Sequence, residues 1–221
     1  MARRRFRRKD LKRPDEFVNA GRAFIAWAQA NVRLLSWIGA GVVLLVIAAA
    51  GFLSMRSARV RQSNDDLSHA LARLRGGKYS QAAAELGDVA ERWQSSAVGR
   101  LARLYAATAD LKAHKPDAAA ALLQRALHAG GWPSYLKQQA LLGLGFALEE
   151  EGKFQAAGDR YAEAAAVRGP YRAVAVLGEA RCRVQAGQEQ VALKLYERFV
   201  REFPQAPEGD MVAAEVRLLQ G

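Results

Sequence analysis

A phrase of small and large apolar side chains returns four times along this chain. "GGKYSQAAAEL" starts at Gly76, "HKPDAAAALL" at His114, "GKFQAAGDRY" at Gly152 and "GQEQVALKLY" at Gly187. Aligned on these phrases, Ala82, Ala119, Ala157 and Ala192 share one position, at separations of 37, 38 and 35 residues. Four residues further on stand Leu86, Leu123, Tyr161 and Tyr196, and three beyond those Val89, Ala126, Ala164 and Phe199. Self-similarity at such a period constrains a chain to a stack of like units rather than a single closed core. Alanine is abundant and prolines number only 6, so the unit is expected to be helical.

The pattern resembles the tetratricopeptide repeat, a helix-turn-helix unit of about 34 residues. The third copy matches best: Leu141, Leu144, Gly145 and Leu148 fit its first helix, and Gly152, Phe154, Ala157, Tyr161 and Ala164 its second. The fourth copy ends with Pro204, at the proline position of the pattern, after "YERFVREF". The second departs from it, with His114-Lys115-Pro116 where a glycine and an aromatic are expected. The resemblance covers residues 63–206 and implies an all-α fold, a solenoid of helical hairpins. A final helix over 210–220, with Asp210 as its N-cap, is expected to cover the last repeat. Gly145 and Ala157 are expected at the helix crossing, where no side chain can intervene, with Phe154 and Tyr161 filling the wedge between hairpins. Glycines at 76–77, 130–131, 152 and 187 are expected to end helices or make turns.

Ahead of the repeats, "LLSWIGAGVVLLVIAAAGFLSM", residues 34–55, carries no charged side chain. At about 1.5 Å per residue a helix of this length crosses a hydrocarbon layer of about 30 Å. Only a helix satisfies all its backbone groups within lipid. Trp27 and Trp37 stand near its N-terminal end, where amphipathic rings favour the headgroup layer. A cleavable signal peptide is the rival reading, with Ala48-x-Ala50 as its cleavage site, but secretory n-regions are far shorter than the 33 residues here. The formal charge of +11 is concentrated ahead of this segment. Arg3, Arg4, Arg5, Arg7, Arg8, Lys9, Lys12, Arg13, Arg22 and Arg33 face only Asp10, Asp15 and Glu16. A nucleic-acid-binding domain would carry basic clusters on its folded part, whereas here the charge sits in a tail suited to an anionic membrane surface. Counting Lys and Arg on the two flanks gives a cytoplasmic N-terminus and a translocated C-terminal part. The expected organisation is a basic segment 1–33, a transmembrane helix 34–55, a linker 56–66 and a repeat domain 67–221. Residues 16–31 admit two readings: a short helix lying on the inner leaflet through Phe17, Phe24 and Trp27, or a flexible tail held there by charge.

The tetratricopeptide resemblance also implies an inner face lined by first helices. Its inward positions fall on Leu67, Leu71 and Leu74; on Leu101, Leu104, Thr108 and Leu111; on Leu142 and Phe146; and on Leu177, Arg181 and Val184. This face is mostly apolar, so it takes apolar peptide segments from a partner or is filled by the chain's own helix. Versions that clamp a partner's carboxylate need several cations there, and only Arg181 qualifies.

No chemistry is indicated. His69, His114 and His128 lack metal-ligand spacing, and "EEE" at 149–151 reads as a solvated helix end. The lone Cys182 permits no internal disulfide and reads as a small buried hydrophobe. "GLGFALEEEG" at 143 starts within a helix and so is not a phosphate loop. The chain is not expected to be an enzyme, and no cofactor or small-molecule substrate is implied.

The order of basic tail, single anchor and degenerate repeats is similar to the YfgM-type ancillary subunits of the bacterial Sec translocon. That resemblance implies an inner-membrane protein with a periplasmic repeat domain that contacts SecYEG and periplasmic chaperones. Its role would be to hand newly exported chains from one to the other. "YERFVREFPQAPEGDMVAAE" at 196–215 looks like the repeat ending of outer-membrane assembly lipoproteins and cell-division coordinators, which implies an envelope scaffold instead. A third reading makes the tail the active part, binding ribosomes, RNA or anionic lipid.

Overall fold

The computed structural model describes residues 16–220, with side chains from residue 21 onward. Arg3, Arg4, Arg5, Arg7, Arg8, Lys9, Lys12 and Arg13 lie outside the described residues, and the Phe17 side chain is likewise not described. The chain divides into two units, residues 1–59 and 60–221.

The first unit holds α1 (Glu16–Ala30) and the N-terminal part of α2 (Val32–Arg75), whose residues 60–75 belong to the second. One stretch of α2 is long and apolar enough to cross a membrane, and none of that stretch is buried by the protein. Trp37, Leu45 and Met55 are 78%, 69% and 73% exposed. Residues 56–66, expected as a linker, are helical and belong to α2.

The second unit is a stack of helical hairpins. The C-terminal part of α2 pairs with α3 (Tyr79–Arg92), α4 (Ala97–Lys112) with α5 (Pro116–Ala129), α6 (Ser134–Glu150) with α7 (Phe154–Ala166), and α8 (Arg172–Gln185) with α9 (Glu189–Glu202). The C-terminal part of α2 shares a core with α3, α3 packs on α4, α5 and α7 each pack on their own first helix and on that of the next hairpin, and α6 touches both α4 and α8 along one side. A last helix, α10 (Gly209–Gln220), closes on α9. It begins one residue earlier than expected, so Asp210 sits inside its first turn and acts on the helix dipole rather than as N-cap.

The repeat register seen in the sequence is the register of the core. Every residue in the three aligned positions is buried: Ala82, Ala119, Ala157 and Ala192; Leu86, Leu123, Tyr161 and Tyr196; Val89, Ala126, Ala164 and Phe199. Alanines where helices approach and larger side chains where they diverge keep the stack dense. Burying a Leu86 or Phe199 side chain stabilises the fold by roughly 1.5–3 kcal/mol each.

The same register governs the turns. Gly77, His114, Gly152 and Gly187 all have positive φ, between 56° and 74°. At each, the amide bonds back three residues and the next amide five. The pairs run to Leu74 and Arg73, to Leu111 and Asp110, to Glu149 and Leu148, and to Val184 and Arg183. This double bond is the Schellman termination of a helix, which needs a left-handed residue at its bend. Where the second copy lacks the glycine, His114 adopts the same conformation at a steric cost.

Gly145 lies at a close approach, but Ala157 is not what it faces. A Cβ at Gly145 would fall 2.9 Å from the Tyr161 ring, and one at Gly178 equally 2.9 Å from it. The ring is thus held between α6 and α8, and Ala157 is buried beneath it beside Cys182. Among the described residues Gln138 is the one wholly buried side-chain amide: its Nε2 donates to the carbonyls of Ala164 (3.2 Å) and Val167 (3.1 Å). Its Oε1 accepts from the Tyr171 amide at 3.2 Å. It thereby ties the end of α7 to the start of α8.

Candidate functional site

The side of the stack shared by α4, α6 and α8 carries two adjoining open depressions. One, of about 320 Å³, is lined by Leu101, Leu104, Tyr105, Thr108, Leu111 and Gln139 among others. The other, of about 460 Å³, includes Leu111, Phe146, Val174, Leu177, Arg181 and Glu208. Both are bordered by Leu111, Leu142 and Gly143, so they form one apolar groove across three first helices.

Of the inward positions expected from the sequence, the structure brings together Leu101, Leu104, Thr108, Leu111, Leu142, Phe146, Leu177 and Arg181 in this groove. It does not bring in the rest. Leu67 is buried in the core with Ala82 and Leu86, and Leu71 and Leu74 pack against the same cluster. Val184 packs against the core around Tyr196 and Phe199. Leu67, Leu71 and Leu74 of α2 and Val184 near the end of α8 therefore pack the hairpins themselves, while Leu177 and Arg181 of α8 reach the groove.

Sequence reasoning missed Tyr105, Gln139, Tyr171, Val174 and Glu208. Gln139 Nε2 donates to the Tyr171 hydroxyl at 2.9 Å, which sets both on the groove wall. Tyr105 and Tyr171 could have been found as tyrosines off the core register, a placement hydroxyl-bearing rings take where one end meets water.

The groove's arginine is already paired. Arg181 donates from Nε to Glu149 Oε1 at 2.7 Å and from Nη2 to Oε2 at 2.8 Å, a bidentate pair. The Tyr161 hydroxyl donates to the same carboxylate at 2.9 Å. Burial works against the charge of Glu149, but the hydrogen bonds from Arg181 and Tyr161 outweigh it and hold the carboxyl below its ordinary range. The hydrogen bond to Glu149 likewise raises the Arg181 guanidinium, against its partial burial. Burial first, and Glu149 beside it, push the Tyr161 hydroxyl up. The same two influences push the Cys182 thiol up to about 12, so it stays protonated at neutral pH. The "EEE" run therefore differs from its sequence reading. Only Glu150 is a solvated end; Glu149 anchors Arg181, and Glu151 pairs with Lys153 at 2.6 Å.

Among the described residues no group of His, Cys, Asp or Glu is placed to hold a metal ion. Arg22 and Arg33, the described members of the basic set, are exposed on α1 and at the start of α2.

Comparison with known proteins points to the fold. The tetratricopeptide-repeat family model matches residues 106–173, which run from α4 through α7 to the start of α8. No curated protein matches the chain in sequence. Among solved structures, the chain is similar to a variant of a Podosopora anserina protein described as a kinesin light chain with nearly identical TPR-like repeats. The identity is 18% and the TM-score 0.58, over 71% of this chain and 84% of that one. It is similar also to PilF of Pseudomonas aeruginosa, at 22% identity and a TM-score of 0.56 over 71% of this chain and 67% of that one. A MamA variant superposes with a TM-score of 0.52 at 17% identity, over 72% and 86%. By fold, residues 60–221 are a tetratricopeptide-repeat-like solenoid of four helical hairpins and a closing helix.

Proposed function

We propose that the solenoid is a protein-docking platform held at a bilayer by the apolar part of α2, and that its groove takes apolar side chains from an extended partner segment. One observation carries the reading. The groove is continuous across α4, α6 and α8, mostly apolar, and its one arginine is neutralised by Glu149. Such a surface offers desolvation of large aliphatic or aromatic side chains and no free cation for a terminal carboxylate. Tyr105, Gln139 and Tyr171 add hydroxyl and amide groups at the wall, suited to a partner's backbone.

The anchor reading rests on the length, apolarity and exposure of the stretch, since a helix of soluble protein would bury such a surface. The ten cations ahead of it against Arg56, Arg59 and Arg61 behind it support a cytoplasmic N-terminus and a periplasmic solenoid. Within that frame the finer reading is an ancillary factor beside SecYEG and periplasmic chaperones; an envelope-assembly or cell-division scaffold uses the same groove with another partner.

The test is photo-crosslinking in intact membranes from Leu104, Leu142 and Phe146, with Gln155 and Glu163, exposed on α7 away from the groove, as controls. Adducts from the groove positions alone support docking there, and translocon subunits or chaperones among them support the finer reading. Equal adducts from control positions overturn it.

A further inference from the structure

The apolar face of α1 is covered by nothing in the described part of its own unit. At helical spacing Gly21, Phe24 and Ala28 share one face with Ile25 and Trp27 at its two edges, while Arg22, Ala26 and Gln29 share the other. Phe24, Ile25 and Trp27 are 64%, 56% and 49% exposed, and the rings of Phe24 and Trp27 stack with centroids 6.2 Å apart. An aqueous helix has no reason to hold two aromatic rings and an isoleucine on one outward face.

The junction with α2 is a defined break. The Asn31 amide is shared between the carbonyls of Trp27 (3.0 Å) and Ala28 (3.2 Å), and the ladder resumes with Leu35 donating to Asn31. The Asn31 side chain also donates to Trp27, from Nδ2 at 2.8 Å. Asparagine thus closes α1 with its own amide, directly ahead of Arg33 and the apolar stretch. Such an interruption lets a helix leave the axis of the one that follows.

We infer that α1 lies in the headgroup layer of the leaflet where the span begins, with Phe24, Ile25 and Trp27 in the acyl boundary and Arg22 turned to anionic lipid headgroups. The inference rests on the anchored reading above and adds an occupant for the uncovered face. Charge complementarity selects that occupant. Arg22 and Arg33 are exposed on the described part, and the segment 1–33 holds ten cations against three acids in sequence. An aromatic face combined with cations beside a membrane span fits an anionic bilayer surface better than a protein partner. Of the two readings left open by the sequence, a helix on the leaflet or a tail held by charge alone, the first agrees with α1.

The experiment uses the full-length protein reconstituted in vesicles of zwitterionic lipid, with or without anionic lipid. Single cysteines are placed at Phe24, Ile25 and Trp27, at Arg22, Ala26 and Gln29, and within the span at Val43 and Leu45. N-ethylmaleimide reacts with the thiolate in water, and native Cys182 is buried and serves as the blank. The expected result is labelling about tenfold slower at 24, 25 and 27 than at 22, 26 and 29, with the contrast greater when anionic lipid is present. Equal, fast labelling at all six α1 positions with Val43 and Leu45 protected overturns the inference and leaves the anchor standing. Fast labelling at Val43 and Leu45 as well overturns the anchor itself. A contrast between the two α1 faces that does not respond to anionic lipid overturns the headgroup assignment.

Discussion

At the scale of single residues, the fold depends on what is left out beside Tyr161. Gly145 and Gly178 both leave room for the same ring, and a methyl group on either would meet it at 2.9 Å. Gly145→Ala is expected to destabilise the solenoid by about 1–3 kcal/mol through overpacking, read as a lowered urea midpoint. Combining it with Tyr161→Leu should cost less than the two changes summed, because both act on one contact. The sequence showed the glycine and the aromatic in register, but not that they touch, since the contact follows from how α6 and α7 cross within one hairpin and how α8 closes on the same ring. Glu149 was hidden for a similar reason: its partner Arg181 lies 32 residues away, one hairpin further on. Its carboxyl is held below the ordinary value near 4.5, so the pair contributes stability that is present above that value. That contribution is lost as pH falls through the lower, folded-state pKa. Glu149→Gln should therefore be less stable than the parent at neutral pH and lose less on acidification, in urea unfolding followed as a function of pH. Glu202, held low chiefly by its hydrogen bond from Arg198 at a solvent-screened surface site, leaves a small acid dependence in both proteins.

At the scale of elements, the hairpins were legible and their joints were not. Glycine and lysine or glutamine at the turns, with alanine five residues beyond the glycine, marked three of the four bends within hairpins, and His114 takes the fourth without the usual residue. The joint between α7 and α8 is different. It is held by Gln138, a polar residue in the middle of an apolar helix face, which pattern reading discards. Gln138→Ala would leave the Tyr171 amide and two carbonyls without their buried partner, at a cost of about 1–3 kcal/mol for the group most deprived. Amide hydrogen exchange should report it locally, with Tyr171 losing protection before the amides of α4. Gly169 supports the same joint: a Cβ there would strike the Gln138 oxygen. Of the inner-face positions expected from the sequence, Leu101, Leu104, Leu111, Leu142 and Leu177 line the groove and pack on the core as well, and Thr108 and Phe146 line the groove alone. Leu67 and Val184 line neither depression and pack into the core.

At the scale of the solenoid, stability passes from neighbour to neighbour, and an end repeat depends on its cover. Val212 is fully buried, and Val216 and Leu219 pack on the cluster around Tyr196 and Phe199. Deleting residues 209–221 is expected to expose that cluster and to unfold α8 and α9 ahead of α3 to α5. Hydrogen exchange along the stack should show protection falling from the C-terminal end inward, with a lower overall thermal midpoint. A closing helix over 210–220 was expected here, and α10 starts one residue earlier, at Gly209.

Tyr161 belongs to the floor of the groove as well as to the space between two glycines. Its ring is therefore a shim between consecutive hairpins, and the gape of the surface above is inherited from its thickness. A lineage could widen or narrow the mouth by exchanging this buried side chain, and so retune which ligands enter, while every outward-facing position stayed as it was.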